Sequence, residues 1–382
     1  MKIGIIDADL ISRKKHRFPN LASMKISGYY KEQGHHVSLL LSYDEIENYD
    51  KVFISKVFTD TPIPDGITEL SWVEYGGTGF FYDEAPPLPD EIEHHMPDYH
   101  LYDDFVSNLL ENGAKPAELQ YYTDHSIGFT TRGCIRGCSF CVNKNYRSCA
   151  LHSPVQEFLD PGRKYICLLD DNILSCRDWK TIFNQLNATG KKFQFKQGMD
   201  ERLLTDEKCE VVFNSNWYRD YIFAFDNIKD RRLIERKLKM LRQYTDKKPK
   251  FYVFCAYNHS DPDHYPADFC RTDIRDIFER VKVLMSYHAL PYIMRYKDYE
   301  ILPHRGMYIT LARWCNQPGI FKKKSFREFA EIANGPGGAA ARYMEEFERQ
   351  YPEIATEYFD MKWSDFDGKG NYSPESNYCS SL

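Results

Sequence analysis

Residues 127–141 read IGFTTRGCIRGCSFC. The opening IGFTT has the apolar, β-branched composition of a buried strand, and it runs straight into a glycine-punctuated loop carrying Cys134, Cys138 and Cys141. Three thiols so close together staple the chain, hold a metal or pack. Stapling fits poorly, because the chain has 11 cysteines, an odd number, and nothing that reads as a secretory segment. MKIGIIDADL meets Asp7 almost at once, and no stretch reaches the roughly 18 apolar residues that suggest a membrane span. The sequence therefore predicts a cytoplasmic protein with reduced thiols and no membrane partner.

Downstream of the loop the pattern of 127–131 recurs. Runs at 165–170 (YICLLD), 193–197 (FQFKQ), 221–225 (YIFAF), 251–257 (FYVFCAY) and 291–296 (PYIMRY) read as further buried strands separated by helix-sized gaps. In the last gap Ile274, Ile277, Phe278, Val281 and Leu284 form one apolar helical face. Six β-α units in series predict a partial (β/α)6 barrel over 116–300, with the cysteine loop after its first strand, at the C-terminal mouth where barrel chemistry occurs. Polar residues follow the other strands: Asp170 and Asp171, then Gln197, Asp200 and Arg202, then Asp226 and Asn227, then Tyr257, Asn258 and His259, then Arg295. Each of these is also a residue type that caps helices or forms turns.

Upstream, KIGIID, HVSLLL and KVFISKV read as strands, with a helix between the first two that Gly34 ends. A fourth strand-like run stops at Gly76 and Gly77. This predicts an N-terminal doubly wound parallel sheet over 1–115, with Pro-rich 83–99 as a linker and GGTG at 76–79 as a turn rather than a phosphate cradle. Residues 301–382 read as a helical C-terminal cap. Hydrophobic residues at 42% supply ample core, and a net charge of −6 weighs against a nucleic-acid partner.

Three thiolates on one loop face a common centre as an iron-sulfur cluster requires, and they leave one iron without a protein ligand. The rival is a structural zinc site, with Cys149 or His152 as fourth ligand. CIRGCSFC resembles the CxxxCxxC loop of the radical SAM superfamily, with Phe140 directly before the last cysteine as is common there. The resemblance implies a 4Fe-4S cluster on Cys134, Cys138 and Cys141 that chelates S-adenosylmethionine at its open iron. LLDDN, QGMDERLL and FAFDN further resemble members with an N-terminal cobalamin-binding-like domain. By that resemblance Asp170 or Asp171 meets the amino group of S-adenosylmethionine, and Gln197, Asp200 and Arg202, with Phe140, line the remaining cofactor site. The DxHxxG motif that supplies a histidine to cobalt is absent: the nearest string, at 98–103, has Asp103 in the glycine position, and the loop after the first strand offers only His16 among basic residues. The expected function is cleavage of S-adenosylmethionine to a 5'-deoxyadenosyl radical that abstracts hydrogen from a small-molecule or peptide substrate, with flavodoxin or ferredoxin as electron donor. The alternatives are a cobalamin-dependent methyltransferase and a zinc-stapled binding protein without catalysis.

Overall fold

The computed structural model describes residues 1–13, 15–82 and 84–372. By compactness the chain divides into two units: one comprises Met1–Gln197 with Asn216–Tyr218, and the other Gly198–Ser215 with everything from Arg219 onward.

The first unit begins with a four-stranded parallel sheet. Strands β1 (Lys2–Asp7), β2 (His36–Leu39), β3 (Lys51–Ser55) and β4 (Val73–Gly76) lie in the order β2-β1-β3-β4. KIGIID is apolar on both faces because both are covered: Ile3 and Ile5 join one core cluster, and Ile6 joins another with Val52, Ile54 and Val73. The helix Leu21–Glu32, capped by Asn20 at Ser23 N, covers the first face with Met24 and Ile26. The Pro-rich segment expected to be a linker is instead packed. Ile92 and Tyr99 are buried in the same cluster as Ile3 and Ile5, together with Ile127 and Cys167. The Tyr99 hydroxyl accepts from Ile127 N (2.8 Å) and donates to Phe158 O (2.6 Å), so this segment is riveted to the next sheet.

That next sheet holds β5 (His125–Gly128), which is followed by the short antiparallel pair β6 (Thr131–Arg132) and β7 (Ala150–Leu151), then β8 (Tyr165–Leu168) and β9 (Lys192–Phe195). β5, β8 and β9 are parallel and adjacent in that order. In the second unit β10 (Ile222–Ala224), β11 (Lys250–Cys255) and β12 (Leu290–Arg295) form another parallel three-stranded sheet. All six expected strands exist in sequence order, as two sheets of three. The first of them is shorter than expected, because Thr130 and Thr131 leave β5 to open the cysteine loop.

The helix Phe269–Ser286 lays Ile274, Ile277, Phe278, Val281 and Leu284 on the second unit's core. Its buried Arg280 donates to the carbonyls of Phe225 (3.0 Å), Asp226 (3.0 Å) and Phe254 (2.8 Å), binding the helix to the C-terminal ends of β10 and β11. The C-terminal region is helical as expected. Its helix Phe326–Ile332 starts at a reciprocal Ser325–Glu328 capping box, and Trp314, Phe321, Phe326, Phe347 and Phe359 fill its interior. No helix among the described residues is long and apolar enough to cross a membrane.

Candidate iron-sulfur site

The cysteine loop is a clamped hairpin. β6 and β7 pair Thr131 with Leu151 and Arg132 with Ala150, so residues 133–149 leave and return at one point. Gly133 has φ +94°, and a Cβ there would lie 2.3 Å from Ser148 O on the returning arm, so only glycine fits. Inside the loop Cys141 N–H donates to Cys138 O (2.9 Å) and Lys144 N–H to Cys141 O (3.1 Å), a tight turn that folds the last two thiols together. Cys134, Cys138 and Cys141 are all half-buried, and none is in a disulfide.

Two sulfurs already receive donors. Asn143 N–H points at Cys141 Sγ (3.4 Å), and Asn172 Nδ2 points at Cys134 Sγ (3.4 Å). Donors aimed at the sulfurs tune a cluster that those sulfurs hold. Asn172 is buried, and its Oδ1 has no partner among the described residues, which leaves an acceptor beside Cys134. Among the described residues no group of three or more His, Cys, Asp or Glu stands close enough to hold a single metal ion. The half-buried thiols, the glycine-only turn and the sulfur-directed donors suit a cluster.

Asp170 and Asp171 are scaffold. Asp170 is fully buried, and its carboxylate accepts from Thr130 N (3.0 Å), Thr130 Oγ1 (2.5 Å), Thr131 N (2.7 Å) and Thr131 Oγ1 (2.7 Å). Burial pushes its carboxyl up while these four donors oppose. Asp171 accepts from Gly133 N (2.7 Å) and Asn143 Nδ2 (2.6 Å), tying the loop's entry to the residues just past Cys141. Asp170 and Asp171, of which one was expected to meet the cofactor's amino group, are thus both engaged in holding the loop. Phe140 is half-buried, and its carbonyl accepts from the Tyr82 hydroxyl (3.1 Å) of the N-terminal layer.

Gln197 is exposed at the end of the first unit. Asp200 and Arg202 belong to the second, where they pair with each other (Nε to Oδ1, 2.7 Å) and Arg202 also holds Asp230 (2.7 Å). Between them Glu201 is fully buried, with neither carboxylate oxygen hydrogen-bonded to a described residue; burial, with Asp200 adding, pushes its carboxyl well above the ordinary range. Burial likewise pushes Asp226 up to about 6. Asn227 and Asn258 do turn work: Asn227 Oδ1 accepts from Lys229 N (3.0 Å) and Asn258 Oδ1 from Ser260 N (3.0 Å).

Among the described residues, the strand ends of the N-terminal sheet are bonded to one another. Ligands of such sheets sit outside the C-terminal strand ends where the order reverses, here between β1 and β3. Those ends are filled by the chain itself. The Tyr102 hydroxyl donates to Asp7 (2.9 Å), Val57 N to Asp9 (2.6 Å), and Asn20 Nδ2 to Ser55 Oγ (2.8 Å). Thr61 Oγ1 also bonds Asp9, and Arg13 pairs with Asp60. His16 packs edge-on against Phe58 (6.2 Å), and burial lowers its pKa. Gly77 and Gly79 of GGTG lie against the Lys56 backbone, so this loop is a close-packed turn.

No protein-family profile and no curated protein matches the sequence. Solved structures do. The radical S-adenosylmethionine methyltransferase TsrM from Kitasatospora setae, with cobalamin and a [4Fe-4S] cluster bound, aligns at TM-score 0.47 and 10% identity over 77% of this chain and 72% of its own. The cobalamin-dependent S-adenosylmethionine radical enzyme OxsB, with aqua-cobalamin and S-adenosylmethionine bound, aligns at TM-score 0.36 and 12% identity over 96% of this chain. This chain spans 64% of that one.

Proposed function

We propose that the chain is a radical SAM enzyme in which Cys134, Cys138 and Cys141 hold a 4Fe-4S cluster and the six parallel strands β5 and β8 to β12 make its partial barrel. The observation that carries this reading is the clamped loop itself: three thiols at radical SAM spacing, a glycine-only turn, and donors already aimed at two of the sulfurs. When bound and reduced, such a cluster supplies the electron that cleaves S-adenosylmethionine to a 5'-deoxyadenosyl radical. The chain's own contribution is to fix the thiols and to bind. Asp170 and Asp171 hold the loop's shape, and Asn172 Oδ1, the buried acceptor beside Cys134, is placed to take a hydrogen bond from the cofactor's amino group. Asp200 and Arg202 are kept as binding residues for the cofactor's remaining polar groups, and Gln197, exposed at a strand end, as another. The reading does not include cobalamin, because the strand ends that would receive it are occupied by the chain's own bonded side chains. Electrons come from a flavodoxin- or ferredoxin-type donor, and the hydrogen is abstracted from a small-molecule or peptide substrate.

Anaerobic reconstitution tests this. One 4Fe-4S cluster per chain is expected, lost in Cys134→Ala, Cys138→Ala and Cys141→Ala but kept in Cys149→Ala, with 5'-deoxyadenosine formed under strong reductant. Zinc in place of iron and sulfide, or no 5'-deoxyadenosine above a cluster-free control, overturns the assignment.

A further inference from the structure

One carboxylate outside the cysteine loop gathers a lysine, an arginine and a histidine from three separate segments. Glu93 closes the short helix Asp90–Glu93. Its Oε1 accepts from Lys25 Nζ (2.9 Å) of the helix Leu21–Glu32, from Arg132 NH2 (3.3 Å) on β6, and from His152 Nε2 (2.8 Å) directly after β7. Lys25 also bonds the Glu93 carbonyl. The charge is well housed, since Lys25 and Glu93 side chains are only 6% and 15% exposed, so the pairs are shielded from the screening that weakens surface bridges. Burial alone would raise the Glu93 carboxyl, but the bonds from His152 and Lys25 and the charge of Arg132 outweigh it and hold the carboxyl at about 2. Arg132 and His152 are the two sides of the loop's neck. A second contact, independent of the first, reaches the loop's tip: the Tyr82 hydroxyl on Phe140 O, two residues from Cys138 and one from Cys141.

We propose that Glu93 and Tyr82 are positioning residues, through which the N-terminal layer acts as a rigid frame for the cysteine loop rather than as a cofactor-binding domain. The neck is fixed by the part-buried bonds of Glu93 to Lys25, Arg132 and His152 and the tip by a hydroxyl, and both anchors come from segments that pack on the N-terminal sheet. Naming the loop's occupant as a cluster rests on the reading above; the frame itself does not.

Hydrogen exchange of the full-length apo protein reads the frame directly, and chelator-driven iron loss from the reconstituted protein reads its consequence. Glu93→Ala is expected to speed exchange at least tenfold in peptides covering 131–152 while peptides covering β1 and β3 exchange as in the wild type. Glu93→Gln, which keeps the Oε1 acceptor, restores part of that protection. Tyr82→Phe, which removes one oxygen from a partly exposed ring and is expected to fold, speeds exchange over 138–146 and iron loss at least threefold, and alters the electron paramagnetic resonance signal of the reduced cluster. Equal acceleration throughout the first unit in Glu93→Ala marks an ordinary stabilising residue and overturns the positioning role, as does wild-type exchange in Tyr82→Phe. If Glu93→Ala does not fold, the Tyr82→Phe result decides. A wild type that binds no iron defeats the proposed function, while its exchange pattern still tests the frame.

Discussion

Asp170→Asn separates a scaffold carboxylate from a cofactor ligand. The side chain has no exposure, and one backbone N–H lies against each of its oxygens: Thr131 N at 2.7 Å on Oδ1 and Thr130 N at 3.0 Å on Oδ2. Whichever way an asparagine amide is turned, its NH2 therefore meets a backbone donor, and that donor is left buried without an acceptor. The two hydroxyls of Thr130 and Thr131 both bond Oδ1, so the less damaging orientation keeps oxygen there and orphans Thr130 N. Losing one hydrogen bond and leaving a buried N–H unsatisfied puts the cost at about 2–4 kcal/mol. Denaturant unfolding of the apo protein measures it, and iron and sulfide per chain after reconstitution measure the effect on the loop. The expected result is lower stability and lower cluster occupancy, with S-adenosylmethionine affinity unchanged in the fraction that holds a cluster. Asn172→Ala should do the reverse, keeping the fold and weakening the cofactor. Full stability and full iron in Asp170→Asn together with lost S-adenosylmethionine affinity would refute the scaffold assignment.

Three further outcomes follow from particular contacts. Gly133→Ala puts a Cβ against Ser148 O at a positive φ, so a cost of about 2 kcal/mol and a loop that reconstitutes poorly are expected; normal iron content in this variant would mean that the neck is looser than its geometry. Asp7, buried and pushed up from 3.8 to about 7 by burial, with the Tyr102 and Leu10 donors opposing, keeps its full stability contribution below pH 4 and loses it as pH rises through 7, by on the order of 4 kcal/mol at most. Asp7→Asn mimics the protonated form, so the stability gap between variant and wild type should open from pH 4.5 to pH 8 in urea titrations, and a constant gap contradicts the buried neutral acid. Protein mixed with hydroxocobalamin should retain none after desalting; stoichiometric retention with S-adenosylhomocysteine formation would return the methyltransferase alternative.

What could be read from the sequence was what leaves a local mark. The cysteine loop has a fixed spacing, and strands such as β1, β3, β5, β8 and β9 are dense apolar runs because both their faces are covered. The roles of the carboxylates left no such mark. A capping aspartate, a scaffold aspartate and a ligand aspartate all follow a strand and look alike in one dimension; Asp170 is sorted only by seeing Thr130 and Thr131, 40 residues upstream, close on it. Ile92 and Tyr99 sit at irregular spacing among prolines, so their burial was invisible to any periodicity, and the linker expectation failed there.

The N-terminal layer shows the same difference at a larger scale. Its parallel sheet was legible, and by the general rule for such sheets a ligand crevice lies outside the β1 and β3 ends. A fold fixes where a crevice can lie but not whether it is open, because the residues that close it come from elsewhere: Tyr102 reaches Asp7 from 95 residues away and Thr61 reaches Asp9 from 52. A sheet tied across its strand ends in this way is held stiff. Both contacts that leave it for the cysteine loop, from Glu93 and from Tyr82, use the stiffness. A frame that holds a loop still needs bonds across its own strand ends and bonded groups at the loop's neck and tip, and the described residues supply both.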